Sequence, residues 1–239
     1  MRLGRDKVSM HKCGLRITPY LAGLPTPPDN VNWSGAVQDR WTMLCNDVLG
    51  DCTIAGPLHM EQCWAANAGG LFVPTDDMAR EAYQRIDGWV PGDSTTDNGG
   101  DVFNVETAWK NDGIGGRKIA GFASANPQDG VEIKQCIAIF GGMNLGITLP
   151  VSSQTQDIWD VVDNDGGVWG GHDVPIVDYT KDLICCITWG MRKYMTWAFF
   201  FKYCDEASPC VSPDFIRKTG TAPSGFGLPQ LESDLALVH

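Results

Sequence analysis

Apolar residues along the first 140 positions recur at three- and four-residue spacing, whereas from residue 144 onward they gather into short β-like runs. The first period predicts helices. Residues 52 to about 66 place Ile54, Ala55, Leu58, Cys63 and Ala66 on one side, and Gly69-Gly70 ends the pattern. Pro57 falls within the first two turns, where proline is tolerated. Further helices are expected over 76–86, over 102–110 (closed by Asn111-Asp112-Gly113) and over 131–140, with Ile133, Ile137 and Phe140 facing inward. Residues 144–149, 173–179, 183–189 and 196–203 then read as strands between Gly, Asp and Asn turns. Helices first and strands later imply an α+β fold with the helices segregated from a mainly antiparallel sheet. Two flanks stand apart from both periods. Residues 1–27 form an arm ending in Leu24-Pro25-Thr26-Pro27-Pro28, and 211–239 form a Pro/Gly/Ser tail with a short apolar end that would dock on its own domain or on a partner. Between them, 28–210 read as one domain, helical to about 130 and β-rich over 131–210.

Composition narrows the function. With 239 residues, 43% of them hydrophobic, the chain can bury a large core. Its 29 acidic against 18 basic residues give a net charge of −11, which argues against a sequence-independent nucleic-acid footprint. No apolar run approaches the ~18 residues of a membrane span, and the polar start does not resemble a signal peptide, so a cytoplasmic setting is expected. Nine cysteines, without a CxxC pair or repeated spacing, read as reduced thiols. Zinc held by Cys185, Cys186, Cys204 and Cys210 is an alternative that the lack of paired spacing disfavours, and no metal or other cofactor is expected.

One junction carries candidate chemistry. In Asn46-Asp47-Val48-Leu49-Gly50-Asp51-Cys52-Thr53 a polar loop enters the first long helix with a cysteine at the boundary. Unpaired N–H groups at a helix start favour a thiolate, and Asn46 lies close enough to donate to an oxyanion. The plain alternative is a buried structural cysteine, since free Cys packs as a small hydrophobe. A nucleophilic thiol needs a base, and the chain has four histidines. His11 and His239 lie near the termini. His59 sits two turns along the same helix, ~10 Å from Cys52 along the axis, and reads as a helix-surface or cleft-lining residue. His172 remains, behind the glycine-rich loop 166–171 and at the start of a strand.

These residues, in this order, resemble the papain-like cysteine peptidases. The segment Val31-Asn32-Trp33-Ser34-Gly35-Ala36-Val37 resembles the start of the family's mature domain, and Asn46 through Cys52 its oxyanion loop and nucleophile. Asn98-Gly99-Gly100, followed by a helix and Gly113-Ile114, resembles the segment that pairs with substrate backbone. Gly171-His172-Asp173-Val174 resembles the strand of the catalytic histidine, and Thr188-Trp189-Gly190 the end of an Asn-Ser-Trp-Gly element. The likeness spans roughly 170 residues. It implies a helical half built on a long helix starting at the cysteine, packed against an antiparallel, barrel-like β half. It implies Cys52 as nucleophile, His172 as base, Asn46 as oxyanion donor, Gly99 and Gly100 as substrate contacts, and Trp189 as a shield over the histidine.

The departures are specific. Asn46 stands where the family has a longer glutamine, Thr53 where it has a bulky residue, and Ile187 at the position of the asparagine that orients the histidine. Thr188, Asp173 or Asp178 are the candidates to orient it instead, and the sequence does not say which of them is the third member. The family's bridging cysteines correspond to Leu49 and Asp97, and only about 27 residues precede the mature-like start where a long inhibitory pro-region is usual. The run around Cys52 and the run 195–207 also resemble papain-like proteins of bacteria and their phages. Two functions follow from the likeness. One is a cysteine hydrolase cleaving a peptide or isopeptide bond of a peptide or protein substrate. The other is a catalytically degenerate protein with a structural or binding role, for example a virion component that meets other chains through 1–27 and 211–239.

Overall fold

A computed structural model of the protein describes residues 1–6, 14–37 and 40–238, so His11, Cys13 and His239 lie outside the described residues. In chain order come α1 (Thr18–Leu21), β1 (Val31–Asn32), α2 (Cys52–Asn67), α3 (Asp76–Asp87), α4 (Val102–Asn111), β2 (Gly121–Phe122), α5 (Gly130–Phe140), β3 (Met143–Pro150) and β4 (Ile158–Trp159). They are followed by β5 (Val168–Tyr179), β6 (Leu183–Thr188), β7 (Met191–Thr196), α6 (Trp197–Tyr203), β8 (Cys204–Ser208), β9 (Cys210–Val211), α7 (Pro213–Thr219) and α8 (Leu228–Leu235). The four long helices fall where the periodicity put them, and short polar caps fix the starts of α3, α4 and α5. Thr75, Asp101 and Asp129 each accept a backbone N–H from the first turn of α3, α4 and α5.

The principal sheet has seven strands in the order β4-β7-β6-β5-β3-β8, with β1 added beside the end of β5. All pairings are antiparallel except β4 with β7. The sheet does not close, so the β half is an open, mainly antiparallel sheet rather than the barrel-like one expected. Helix α2 lies across β5 and β6 and is buried from Cys52 through Trp64, including His59, Glu61 and Gln62. It is thus the axle of the molecule rather than a one-sided surface helix.

Three local readings change. Residues 196–203 were expected as a strand because aromatic runs favour sheets. Instead Thr196 ends β7, its side chain accepts the Phe199 N–H, and 197–203 continue as α6 with Phe199 and Phe200 buried. The glycine-rich stretch before His172 is not a free loop, because β5 begins at Val168 and pairs with β3 through Gly170 and Gly171. The C-terminal segment carries α7 and α8, and Leu228, Leu231 and Leu235 enter the core of this same chain.

Candidate active site

Cys52 opens α2 with only 1% of its surface exposed. The Asp173 N–H donates to its Sγ at 3.4 Å, and the backbone N–H of Gly4 also faces the sulfur. Burial, joined by the nearby charge of Asp173, pushes the thiol up to about 12. The helix start and the two amides pull the other way and do not prevail. As the molecule stands, Cys52 is a protonated thiol.

His172 lies on β5 beside Ile147 of β3 and is fully buried. Its Nε2 is 2.7 Å from the Thr188 hydroxyl oxygen, and the Trp189 ring stacks on the imidazole at 4.7 Å and 15°. Its Nδ1 is buried without a hydrogen-bond partner. With Nε2–H donating to Thr188, Nδ1 keeps the lone pair that a base requires. Burial, with the positive charge of Arg5 second, lowers the imidazole to about 3, so it is neutral. The turn after β6 explains how Trp189 reaches it. Thr188 pairs with Met191, leaving Trp189 and Gly190 as a two-residue loop with φ of 49° and 70°. Such a loop requires positive φ at both positions, an uncommon conformation for Trp, and it sets the indole over His172.

Among the candidates for the third position, Thr188 is the one bonded to the imidazole. Asp178 instead receives the Ser34 N–H and hydroxyl at 2.9 and 2.5 Å. Asp173 is 3% exposed, and neither carboxylate oxygen has a hydrogen-bond partner. Ile187 is buried among apolar neighbours, as its side chain demands.

The loop before the thiol is under local constraint. Leu44 and Cys45 have φ of 56° and 65°, and Asn46 directly after them directs its Nδ2 to Asp51 Oδ1 at 3.1 Å. Asp51 is fully buried, and desolvation raises it to about 8. The amide expected to hold an oxyanion therefore spends one N–H on its own loop. Asp97, at the position of a family bridge cysteine, ties this loop by other means. Its Oδ1 accepts the Gly50 N–H at 2.9 Å and the Tyr83 hydroxyl at 2.7 Å, and its Oδ2 meets Arg2 Nη1 at 2.6 Å.

The cleft has an occupant that no motif in the sequence foretells. Arg5 pairs with Gly100 in a parallel bridge, in which the Gly100 N–H donates to Gly4 O at 2.7 Å and the Asp6 N–H to Gly100 O at 2.9 Å. On the other side the Arg5 N–H donates to Gly171 O at 3.1 Å, and the Arg2 N–H to Asn46 O at 3.4 Å. Residues 1–6 thus run between the Gly99-Gly100 segment and the His172 strand, over the thiol. Gly4 passes so close to the Gly50 carbonyl that a Cβ there would overlap it. Met1, largely exposed, ends the run as one wall of a hollow of about 250 Å³ that Trp169 and Trp189 also line. The run has no periodicity of its own. The one sequence signal is compositional, the cationic Arg2 and Arg5 at one end of the chain and the Asp205-Glu206 pair in an otherwise apolar run near the other.

Other candidates fall away from this site. His59 is buried rather than cleft-lining, with Nε2 2.8 Å from Thr42 O and its ring edge-on to Trp41. The eight described cysteines are buried and outside any disulfide, and Cys204 and Cys210 bond to Glu206 O and Glu106 Oε1. Among the described residues no cluster of His, Cys, Asp and Glu is placed to hold a metal, and no helix is long and apolar enough to cross a membrane. A larger hollow of about 680 Å³, walled by Asp29, Tyr179, Arg192 and Tyr194 among others, shares no residue with the Cys52–His172 site.

No family model matches the chain, and no curated protein matches it in sequence. Solved structures do. Xylellain, a cysteine protease from Xylella fastidiosa, matches with a TM-score of 0.65 at 13% identity, over 88% of this chain and 95% of that one. Digestive procathepsin L 3 of the Tenebrio molitor larval midgut matches with a TM-score of 0.62 at 14% identity, over 84% and 75%. The Carica candamarcensis cysteine protease CMS1MS2, in complex with E-64, gives 0.50 at 16% identity, over 77% and 99%. The chain is a divergent example of the papain-like fold. Identities this low carry the fold and not the activity.

Proposed function

We propose that this protein is a papain-like cysteine hydrolase of peptide or isopeptide bonds, held latent by its own residues 1–6. The observation that carries the reading is the imidazole of His172. One ring nitrogen is held by Thr188, Trp189 covers the ring, and the other nitrogen is left free on the strand whose next residue donates to Cys52 Sγ. With the cleft open, Nδ1 takes the thiol proton and the thiolate attacks the carbonyl carbon. The Cys52 N–H and the second N–H of Asn46 Nδ2 steady the oxyanion. The C–N bond then breaks to leave a thioester, and the imidazolium gives its proton to the departing amine. Water hydrolyses the thioester, His172 accepts a proton from it, and the thiol is restored as the acid leaves. Thr188 and Trp189 act as positioning residues, and Gly100 offers its N–H and C=O to the substrate backbone.

The occupant survives beside this nucleophile for a geometric reason. Gly4 presents its N–H to the sulfur while its carbonyl oxygen is engaged by the Gly100 N–H. The carbonyl is thus turned toward Gly100 and away from attack. A Gly4→Val chain tests the proposal, because the added Cβ meets the Gly50 carbonyl and drives the segment out. Iodoacetamide is expected to modify Cys52 of this variant far faster than Cys63 or Cys136, and more slowly once His172→Ala is added. Equal rates at all three cysteines, indifferent to His172, would sink the hydrolase. The filled cleft favours a second reading, a non-catalytic binding protein whose cleft serves its own N-terminal segment. That reading expects the equal rates.

A further inference from the structure

The side chain of Arg5 is completely buried beside the cleft, where Nη1 lies 2.6 Å from Glu206 Oε2 and 2.7 Å from Asp205 Oδ1, and Nη2 lies 3.4 Å from the Thr148 hydroxyl. Strand register builds this pocket. Asp173 on β5 pairs with Gly146 on β3, and Gly146 pairs with Glu206 on β8. Residues paired in this way share one face of a sheet, so acid, glycine and acid form a row. Room for a guanidinium exists because the middle position lacks a side chain, as a Cβ on Gly146 would overlap Arg5 Nη1. Asp173 closes the row with two buried carboxylate oxygens that no donor reaches. Buried acids grouped this way are costly without a cation among them.

We infer that this acidic pocket is the substrate-selecting pocket of the cleft, and that it takes an arginine or lysine side chain from the substrate residue that pairs with Gly100. Arg5 occupies that position now. It bridges to Gly100, and the residue before it lies at the Cys52 sulfur, so an occupant's backbone spans the thiol and the pocket together. When residues 1–6 leave, the pocket walled by Glu206, Asp205 and Asp173 loses the Arg5 guanidinium, and a basic side chain from the incoming peptide takes its place. Burial raises Glu206 against the pull of Arg5, as expected of an acid whose ionised form depends on a bound cation. The inference rests on the hydrolase reading, and its test separates the two.

The full chain carrying Gly4→Val is assayed with dipeptidyl coumarylamides bearing Arg, Lys, Leu or Glu at each of the two residues before the scissile bond. Arg5→Ala serves as a second opened variant should Gly4→Val fail to fold. Arg and Lys reporters are expected to exceed Leu in kcat/KM by roughly ten- to hundredfold, the range of charge-assisted hydrogen bonds. Glu206→Gln is expected to collapse the Arg-to-Leu ratio toward one. Calorimetry with Nα-acetylarginine amide on the opened variant also carrying Cys52→Ala reads the pocket without chemistry, with Nα-acetylleucine amide as the contrast. Hydrolysis without preference for Arg or Lys overturns the pocket and leaves the hydrolase standing. Absence of hydrolysis, with acetylarginine amide bound and lost in Glu206→Gln, overturns the hydrolase and upholds the pocket. Failure of acetylarginine amide to bind overturns the pocket.

Discussion

Replacing Arg5 by alanine should loosen residues 1–6 without the steric insult of Gly4→Val. The guanidinium is wholly buried, while Glu206 and Asp205 side chains are 7% and 19% exposed, so its bonds are scarcely screened by solvent. Hydrogen bonds to charged partners contribute about 1.5–3 kcal/mol each. Opening the cleft rehydrates both guanidinium and carboxylates, which offsets part of that, so about 2–3 kcal/mol is a fair net figure for the anchor. The segment's other hold is a handful of backbone bonds, each contributing about 0.5–1.5 kcal/mol against about 1–2 kcal/mol of backbone entropy per ordered residue. Losing the anchor therefore raises the open population by roughly 30- to 150-fold. Iodoacetamide reads this directly. In the closed state a thiol near 12 is about one part in ten thousand thiolate at pH 8, so nearly all modification passes through the open state. Peptide-resolved mass spectrometry should show Cys52 labelling faster by that factor, with Cys63 and Cys136 still protected. A Cys52 rate within twofold of the parent would refute the anchoring role. Acceleration at all three cysteines would mean global unfolding.

Three further outcomes follow from the geometry. In the Gly4→Val background, Thr188→Val removes the hydroxyl from His172 Nε2 and should slow Cys52 labelling by roughly three- to tenfold, the worth of one neutral hydrogen bond, with Thr188→Ser restoring most of it. Glu106 is fully buried among Asn144, Ser208 and Cys210, and desolvation lifts it to about 8. A raised folded value means stability that is full below the unfolded value near 4.5 and declines as pH rises through 8. Up to about 5 kcal/mol is at stake. Calorimetric melting of Glu106→Gln should therefore gain on the parent steadily from pH 5 to 8.5, and parallel curves would contradict this. Asp97→Ala removes the acceptor shared by Gly50, Tyr83 and Arg2, and should lower stability in urea by about 3 kcal/mol. A loss under 0.5 kcal/mol would show that the loop is held elsewhere.

The sequence carried some of this architecture plainly and some not at all. Helix α2 was legible because its first residue, its apolar spacing and its Gly-Gly stop agree. The placement of Cys52 ahead of His172, with Gly99-Gly100 between them and Trp189 after, was legible as an ordered resemblance. The burial of α2 on every side through Trp64 was not, because His59, Glu61 and Gln62 look like a solvent face until helices and sheet enclose them. Helix α6 departs from its local pattern, because Trp-Ala-Phe-Phe-Phe suits a strand while the Thr196 cap and the packing of Phe199 and Phe200 favour a helix. Thr188 was one of three candidates beside His172, and only strand register distinguishes it. The acid row exists only after three strands align, and its partner Arg5 is separated from Glu206 by 201 positions. No local pattern encodes such a contact.

Thiol chemistry has to be run in reductant, and reductant undoes any loop that is fastened by sulfur. Here the loop leading into Cys52 is fastened by the Asp97 carboxylate, and the eight described cysteines form no bridge. Conditions that keep the Cys52 thiol reduced therefore leave its support untouched. The fastening responds to ionic strength instead. The exposed Arg2 arm of the clamp weakens in salt, whereas the Gly50 and Tyr83 bonds, buried and made by neutral donors, do not. Salt thus loosens the clamp on the side of the N-terminal segment while the loop that carries the thiol stays in place.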